Sequence, residues 1–354
     1  MGGYYRYAAG CGPCCGTGSG SPIPPPAQTA LRLLDLTTLV PIWTNDTTVV
    51  NVGGPAMDEK SNFLWAAGIV GSSPARELNA ISSLPTGDTA SLSFSGFGST
   101  KALAIHIDSS GNIYVGYSDN FGSGGSLQKF NSSGISQWTN FSMTSVLDID
   151  IDSNGDVVVS GTGSFRSTGY MMKVSPSTGS PIWGPSQRTF GSITRIKTAG
   201  TDVYAHSRFS GDSLMKIDVN GNIVWSAAQP PAYTESDGGL DIDSSGHIWI
   251  SGGKNTLRGT DGWVAEYDSS GTARSDFAHN LFDTTDLQFD SSGGLYITGG
   301  LVESGIASVR KFTTGGAELA AYLHEGPTTP FSQVHRIRPV GSTGILMAGT
   351  NIVL

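Results

Sequence analysis

From about residue 100 onward, apolar and polar positions alternate in short runs, each broken by a cluster of Asp, Ser, Asn and Gly. HIDSSGNIYVG, residues 106–116, is one instance. A period of two predicts a strand with one buried face. The Asp-Ser-Ser-Gly that follows predicts a tight turn, with the glycine at positive φ. The β-branched and aromatic run after it predicts a second strand. DIDSNGDVVVSG, DIDSSGHIWISG and LQFDSSGGLYITGG repeat the same hairpin further along the chain.

The turn glycines Gly111, Gly155, Gly200, Gly246, Gly293 and Gly344 are spaced 44, 45, 46, 47 and 51 residues apart. A degenerate copy, KSNFLWAAG, puts Ser61 in the same position 50 residues before Gly111. About a dozen residues after each of these hairpins comes a second one, as in SLQKFNSSGISQW, YMMKVSPSTGSPIW, SLMKIDVNGNIVW, WVAEYDSSGTAR and SVRKFTTGGAEL. Trp138, Trp183 and Trp225 end three of them. Each period thus supplies four short strands, and four-stranded units of 40–50 residues predict the blades of a β-propeller. A ring of such sheets covers the apolar faces that one sheet alone would expose.

The last copy, VHRIRPVGSTGILMAGTNIVL, has a first hairpin but no second. ALRLLDLTTLVPIW, residues 30–43, has the form of the missing one, Trp43 included. The expectation is an all-β fold, a seven-bladed β-propeller over residues 28–354. Its N-terminal strands complete the C-terminal blade, and residues 1–27 form an extended arm.

Composition agrees with this. Gly occurs 49 times in 354 residues, and charged residues make up only 14%, too few for a helical protein and too few for a disordered one given 38% hydrophobic residues. The net charge of −9 and the lack of a basic stripe argue against nucleic acid as a partner. No apolar run reaches the ~20 residues of a membrane helix, so no membrane insertion is expected. MGGYYRYAAGCGPCCG lacks the charged-then-apolar layout of a signal peptide.

The outer hairpins KIDVNGNIVW and KVSPSTGSPIW resemble the repeat of the quinoprotein, pyrroloquinoline-quinone-like propeller superfamily. The inner ones resemble the related Asp-x-x-Gly repeats of bacterial and phage propellers. The resemblance covers about residues 28–354 and implies architecture more than activity. Quinone-dependent enzymes of that superfamily have longer chains of eight blades and a vicinal Cys-Cys beside the cofactor. Here Cys14-Cys15 precedes every blade, and no cofactor is expected.

Candidate chemistry concentrates in two places. Five residues before successive turn glycines stand His106, Asp150, Arg195, Asp241 and Gln288, with Arg336 and Asn51 in corresponding positions. These fall on innermost strands and form a polar ring around a central channel. Its balanced charges suit a structural plug in which Asp150, Arg195 and Asp241 satisfy one another. His106 beside Asp150 is the one pair that fits acid–base work. The start of DIDSNGD also matches a Ca²⁺ loop through Asp150, Asp152 and Asn154. Its twelfth position, however, is Gly161 where a bidentate Glu is required, so turn chemistry is the expected role.

The other place is residues 1–27. Tyr4, Tyr5 and Tyr7 are amphipathic anchors, and SPIPPP (21–26) is a stiff spacer. Cys11, Cys14 and Cys15 are the only cysteines; three thiols leave a tetrahedral Zn²⁺ one ligand short, so they are weak candidates for a metal shared at an interface, and a disulfide or thiol packing against a partner is the alternative.

The functional expectation is a non-enzymatic structural and interaction protein of a virus particle, a bacteriophage tail, fibre or capsid decoration, located on the virion. The arm docks on other structural proteins, and the propeller faces outward toward a host-surface glycan or protein. The alternatives are a propeller hydrolase, lyase or dehydrogenase using channel-mouth residues, and an extracellular binding module.

Overall fold

The structure is a computed structural model describing residues 28–47, 49–50, 56–60, 63–70, 76–81, 89–94, 101–118, 127–162, 168–189, 192–207, 213–228, 238–256, 259–301, 307–324, 333–340 and 344–351. The arm, residues 1–27, and Asn51 lie outside them.

Among the described residues every regular element is a strand, and every pairing between strands is antiparallel. Residues 193–227, 240–279 and 281–324 each form a four-stranded meander. Residues 101–140 and 145–189 form two more, joined by the single pair Ser145–Ser118. Residues 49–94 make a five-stranded sheet. The remaining sheet draws on both regions of the chain: Gln28–Asp35 lies between Pro41–Thr47 and Gly344–Asn351, and Gln333–Val340 completes it. Gln28 opposes Asn351 and Asp35 opposes Gly344, with no slip in register between them.

Turn chemistry fixes the hairpins. In each Asp-x-x-Gly turn the Asp Oδ1 accepts the amides two and four residues on: Ser110 and Asn112 at Asp108, Asn154 and Asp156 at Asp152, Ser245 and His247 at Asp243. The carboxylate thus satisfies two amides that a tight turn leaves unpaired. The glycine then turns the chain back at positive φ, +80° at Gly111 and +82° at Gly155.

Burial lies between sheets. Among the units whose burial is described, the second strand is covered on both faces, which is why it reads as a continuous apolar run. In Val157–Thr162 all six residues are buried. Val157 and Val159 pack with Tyr114 and Leu127 of the preceding unit, while Val158 packs with Ile196 and Val203 of the next. The same arrangement places Tyr204 against Ile248 and Trp263, and Trp249 against Leu287 and Leu295. At about 1.5–3 kcal/mol per fully buried aliphatic side chain, these interfaces dominate the stability. Leu34, Leu36 and Leu39 join a core with Tyr296 and Val309, and the Leu36 carbonyl accepts from Tyr296 Oη (2.7 Å) and Lys311 Nζ (2.8 Å).

The outer tryptophans link neighbouring units. Trp138, Trp183 and Trp225 each donate Nε1–H to a carbonyl in the outer turn of the next unit, at Pro176 (3.0 Å), Val219 (3.2 Å) and Ser269 (3.1 Å).

Candidate functional site

The first strand of each unit is the innermost, and its alternation separates core from bore. In Ser145–Ile151, Ile149 is buried while Asp148 and Asp150 on either side are half-buried. Five of these strands also shift register near their start, between Ala102 and Ala104, Val146 and Asp148, Ile193 and Arg195, Phe282 and Asp286, and Val334 and Arg336. The resulting bends turn the following polar side chains toward a common cavity.

Of the ring expected from the sequence, His106, Asp150, Arg195, Gln288 and Arg336 line this cavity. Asp241 lies just behind the wall, almost fully buried and held by Lys197 Nζ at 2.8 Å. Asp148, Lys197, Asp286 and Arg338 also line the cavity. Each of these four is two residues from a ring member on the same strand face, so the period-two rule that located the ring would have located them as well.

The expected mutual satisfaction of Asp150, Arg195 and Asp241 is replaced by a different scheme. Each bore carboxylate gives one oxygen to the backbone of the neighbouring inner strand. Asp148 Oδ2 accepts from Ile196 N (3.0 Å) and Asp150 Oδ2 from Thr198 N (2.7 Å). Asp241 Oδ2 accepts from Phe289 N (2.8 Å) and Asp286 Oδ2 from Ile337 N (3.0 Å). The other oxygen faces a cationic or imidazole group: Arg336 for Asp148 (3.6 Å), His106 for Asp150 (3.9 Å), Lys197 for Asp241 (2.8 Å) and Arg195 for Asp286 (3.8 Å). A short Asp side chain can reach the adjacent strand but not across the bore, and the long arginines span the remaining distance. Burial works against the charge on Lys197, but Asp241 and then Asp150 outweigh it and raise its pKa.

The space enclosed is about 50 Å³, enough for a few waters at ~10–15 Å³ each. His106 and Asp150 stand farther apart than a hydrogen bond, and both oxygens of Asp150 already accept amides, from Ile151 and Thr198. This carboxylate orients backbone. The Ca²⁺-loop residue Asp152 is likewise occupied, its Oδ2 held by Lys173 Nζ at 2.6 Å.

No family model and no curated protein sequence matches the chain. Solved structures do. A protein of unknown function from Desulfotomaculum acetoxidans superposes with a TM-score of 0.59 at 12% identity, covering 84% of this chain and 98% of that one. The Dos1 propeller superposes with 0.57 at 13% identity, covering 85% and 80%. Raptor of Chaetomium thermophilum superposes with 0.56 at 10% identity over 85% of this chain, which spans only 28% of Raptor's length. The chain is a β-propeller. At these identities the likeness carries the fold and no activity.

Within the propeller, one blade departs from four others at a position the sequence reading passed over. The third strand carries Lys129, Lys173, Lys216 and Lys311 opposite Tyr114, Val158, Tyr204 and Tyr296 of the second. In the 240–279 blade the same register places Glu266 opposite Trp249. The substitution is legible in WVAEYDSSG beside SLMKIDVNG, once the hairpins are aligned for charge as well as for apolar pattern. The anchoring residues Tyr4, Tyr5 and Tyr7 and the cysteines Cys11, Cys14 and Cys15 lie outside the described residues.

Proposed function

We propose that this chain is a non-enzymatic structural and interaction protein of a bacteriophage particle, in the tail, a fibre or the capsid decoration. Residues 1–27 dock on other structural proteins, and a seven-bladed propeller is displayed toward a host-surface glycan or protein. In this reading the blades are 49–94, 101–140, 145–189, 193–227, 240–279, 281–324, and 333–351 completed by 28–47. Their repeats are of the quinoprotein-like and Asp-x-x-Gly kind. The ring is supported by Gln333–Val340, which packs against both Leu281–Phe289 and Ala56–Lys60.

One observation carries the non-enzymatic reading. Asp148, Asp150, Asp241 and Asp286 each have one oxygen committed to the next inner strand, so the channel carboxylates serve as cross-blade links. The particle reading rests on the glycine-rich, lysine-poor acidic chain and on its Tyr- and Pro-bearing first 27 residues.

The test is deletion of residues 1–27, followed by mass spectrometry of purified particles and thermal melting of the isolated protein. The reading expects loss of particle association with an unchanged melting temperature. Normal incorporation of the truncated chain would contradict it.

A further inference from the structure

We propose that the 240–279 blade holds a divalent transition-metal ion, liganded by Asp243, His247 and Glu266. The site is separate from the bore and stands whether or not the chain belongs to a virus particle.

The repeat supplies its own comparison. In four blades a lysine ammonium occupies this place. Lys173 pairs with the turn carboxylate of Asp152 at 2.6 Å, and Lys311 with that of Asp290 at 3.7 Å. Lys129, Lys216 and Lys311 lie over the rings of Tyr114, Tyr204 and Tyr296 at 5.1–5.6 Å. In two blades, then, the fold sets a fixed cation beside the turn Asp. In the 240–279 blade the turn Asp remains as Asp243 but the ammonium is gone, and Glu266 brings a second carboxylate in its stead. His247, the residue after the turn glycine, places Nδ1 between them, 2.9 Å from Glu266 Oε1 and 3.5 Å from Asp243 Oδ2.

The three ligand atoms lie within 4.8 Å of one another. Ligands about 2.0–2.2 Å from a tetrahedral ion stand roughly 3.3–3.6 Å apart, so His247 Nδ1 and Glu266 Oε1 need only separate by a few tenths of an ångström to admit one. The orienting partners are already in place. Trp249 Nε1 donates to Asp243 Oδ2 (2.9 Å), and Ser275 Oγ donates to Glu266 Oε2 (2.6 Å). Such outer contacts hold carboxylate ligands in position. Arg274 Nε, 3.1 Å from Glu266 Oε1, competes for that oxygen, but its half-exposed side chain is free to swing into solvent. The same three residues line a cavity of about 420 Å³ shared with Phe289 and Gly315 of the next blade. The fourth coordination position therefore has room for water or a ligand group. One imidazole nitrogen and two carboxylates suit Zn²⁺ or Mn²⁺, whereas Ca²⁺ takes six to eight oxygens.

Isothermal titration of the full chain with ZnCl₂ tests this, comparing wild type with Glu266→Lys, which restores the residue of the other blades. Thiols of residues 1–27 contribute equally to both proteins, so the difference reports the blade. The proposal expects wild type to bind one more equivalent of Zn²⁺ than Glu266→Lys. Should circular dichroism show that variant unfolded, His247→Gln takes its place and is expected to lose the same equivalent. Equal stoichiometry and affinity in wild type and the folded variant would overturn the proposal.

Discussion

Lys173 Nζ lies 2.6 Å from Asp152 Oδ2, with both side chains fully shut off from water. The pair joins the inner turn of its blade to the third strand, and Asp152 Oδ1 caps the turn amides at the same time. Removing one partner of a buried pair leaves the other charge without compensation, at a cost of about 3–5 kcal/mol. Lys173→Met is expected to lower stability by that amount in urea denaturation. Adding Asp152→Asn to it should recover part of the loss, because the amide oxygen still caps the turn and no charge remains buried. A double variant less stable than Lys173→Met would contradict this.

Two turn glycines with nearly the same φ should respond differently to alanine. Gly155 has φ +82° and open space where a Cβ would be, so Gly155→Ala costs backbone strain alone, about 1–2 kcal/mol. At Gly179, φ +70°, the same Cβ would stand 2.5 Å from Trp138 Cε3. The indole would have to move, which breaks its bond to the Pro176 carbonyl and the seam between blades. Gly179→Ala is expected to cost clearly more than Gly155→Ala, by about 1 kcal/mol or above for the lost bond and packing. Equal midpoints in chemical denaturation would show that the tryptophan seam bears no load.

Acid should destabilise the fold well above the carboxylate range. Burial, reinforced by Arg195, pushes the His206 pKa down to about 3, and burial with Arg310 does the same at His279. In the unfolded chain both titrate near 6.5. Below that pH the unfolded state takes up protons that the folded state refuses. The stability is therefore complete above pH ~6.5 and falls toward pH 3, by up to about 1.4 kcal/mol per pH unit for each histidine. Urea midpoints measured from pH 7.5 to 4.5 should drop steadily; a flat profile would contradict the buried neutral state of these histidines.

Much of this was legible in the chain, and its limits have a physical cause. The Asp-x-x-Gly turns, the apolar second strands and the outer tryptophans are local, and they stand where the repeat puts them. The polar ring was legible at His106, Asp150, Arg195, Gln288 and Arg336, whereas Asp148, Lys197, Asp286 and Arg338 were passed over although they share the same strand faces. The partners of the carboxylates were not readable at all. Whether Asp286 turns to Gln288 beside it or to Ile337 N in the next blade depends on how two sheets are set against each other, and no local pattern encodes that. Asn51 and residues 1–27 lie outside the described residues.

The central claim is that the two ends of the chain share one sheet, with Leu31 opposite Ala348. Directly opposed residues of antiparallel strands have Cα atoms about 4.5–5.5 Å apart, within the range a disulfide spans. With Cys11, Cys14 and Cys15 replaced by Ser, Leu31→Cys combined with Ala348→Cys should oxidise to a monomeric cross-link under native conditions, and mass spectrometry should find the two terminal peptides joined. Free thiols, or cross-links only between separate molecules, would place the ends apart and contradict the account.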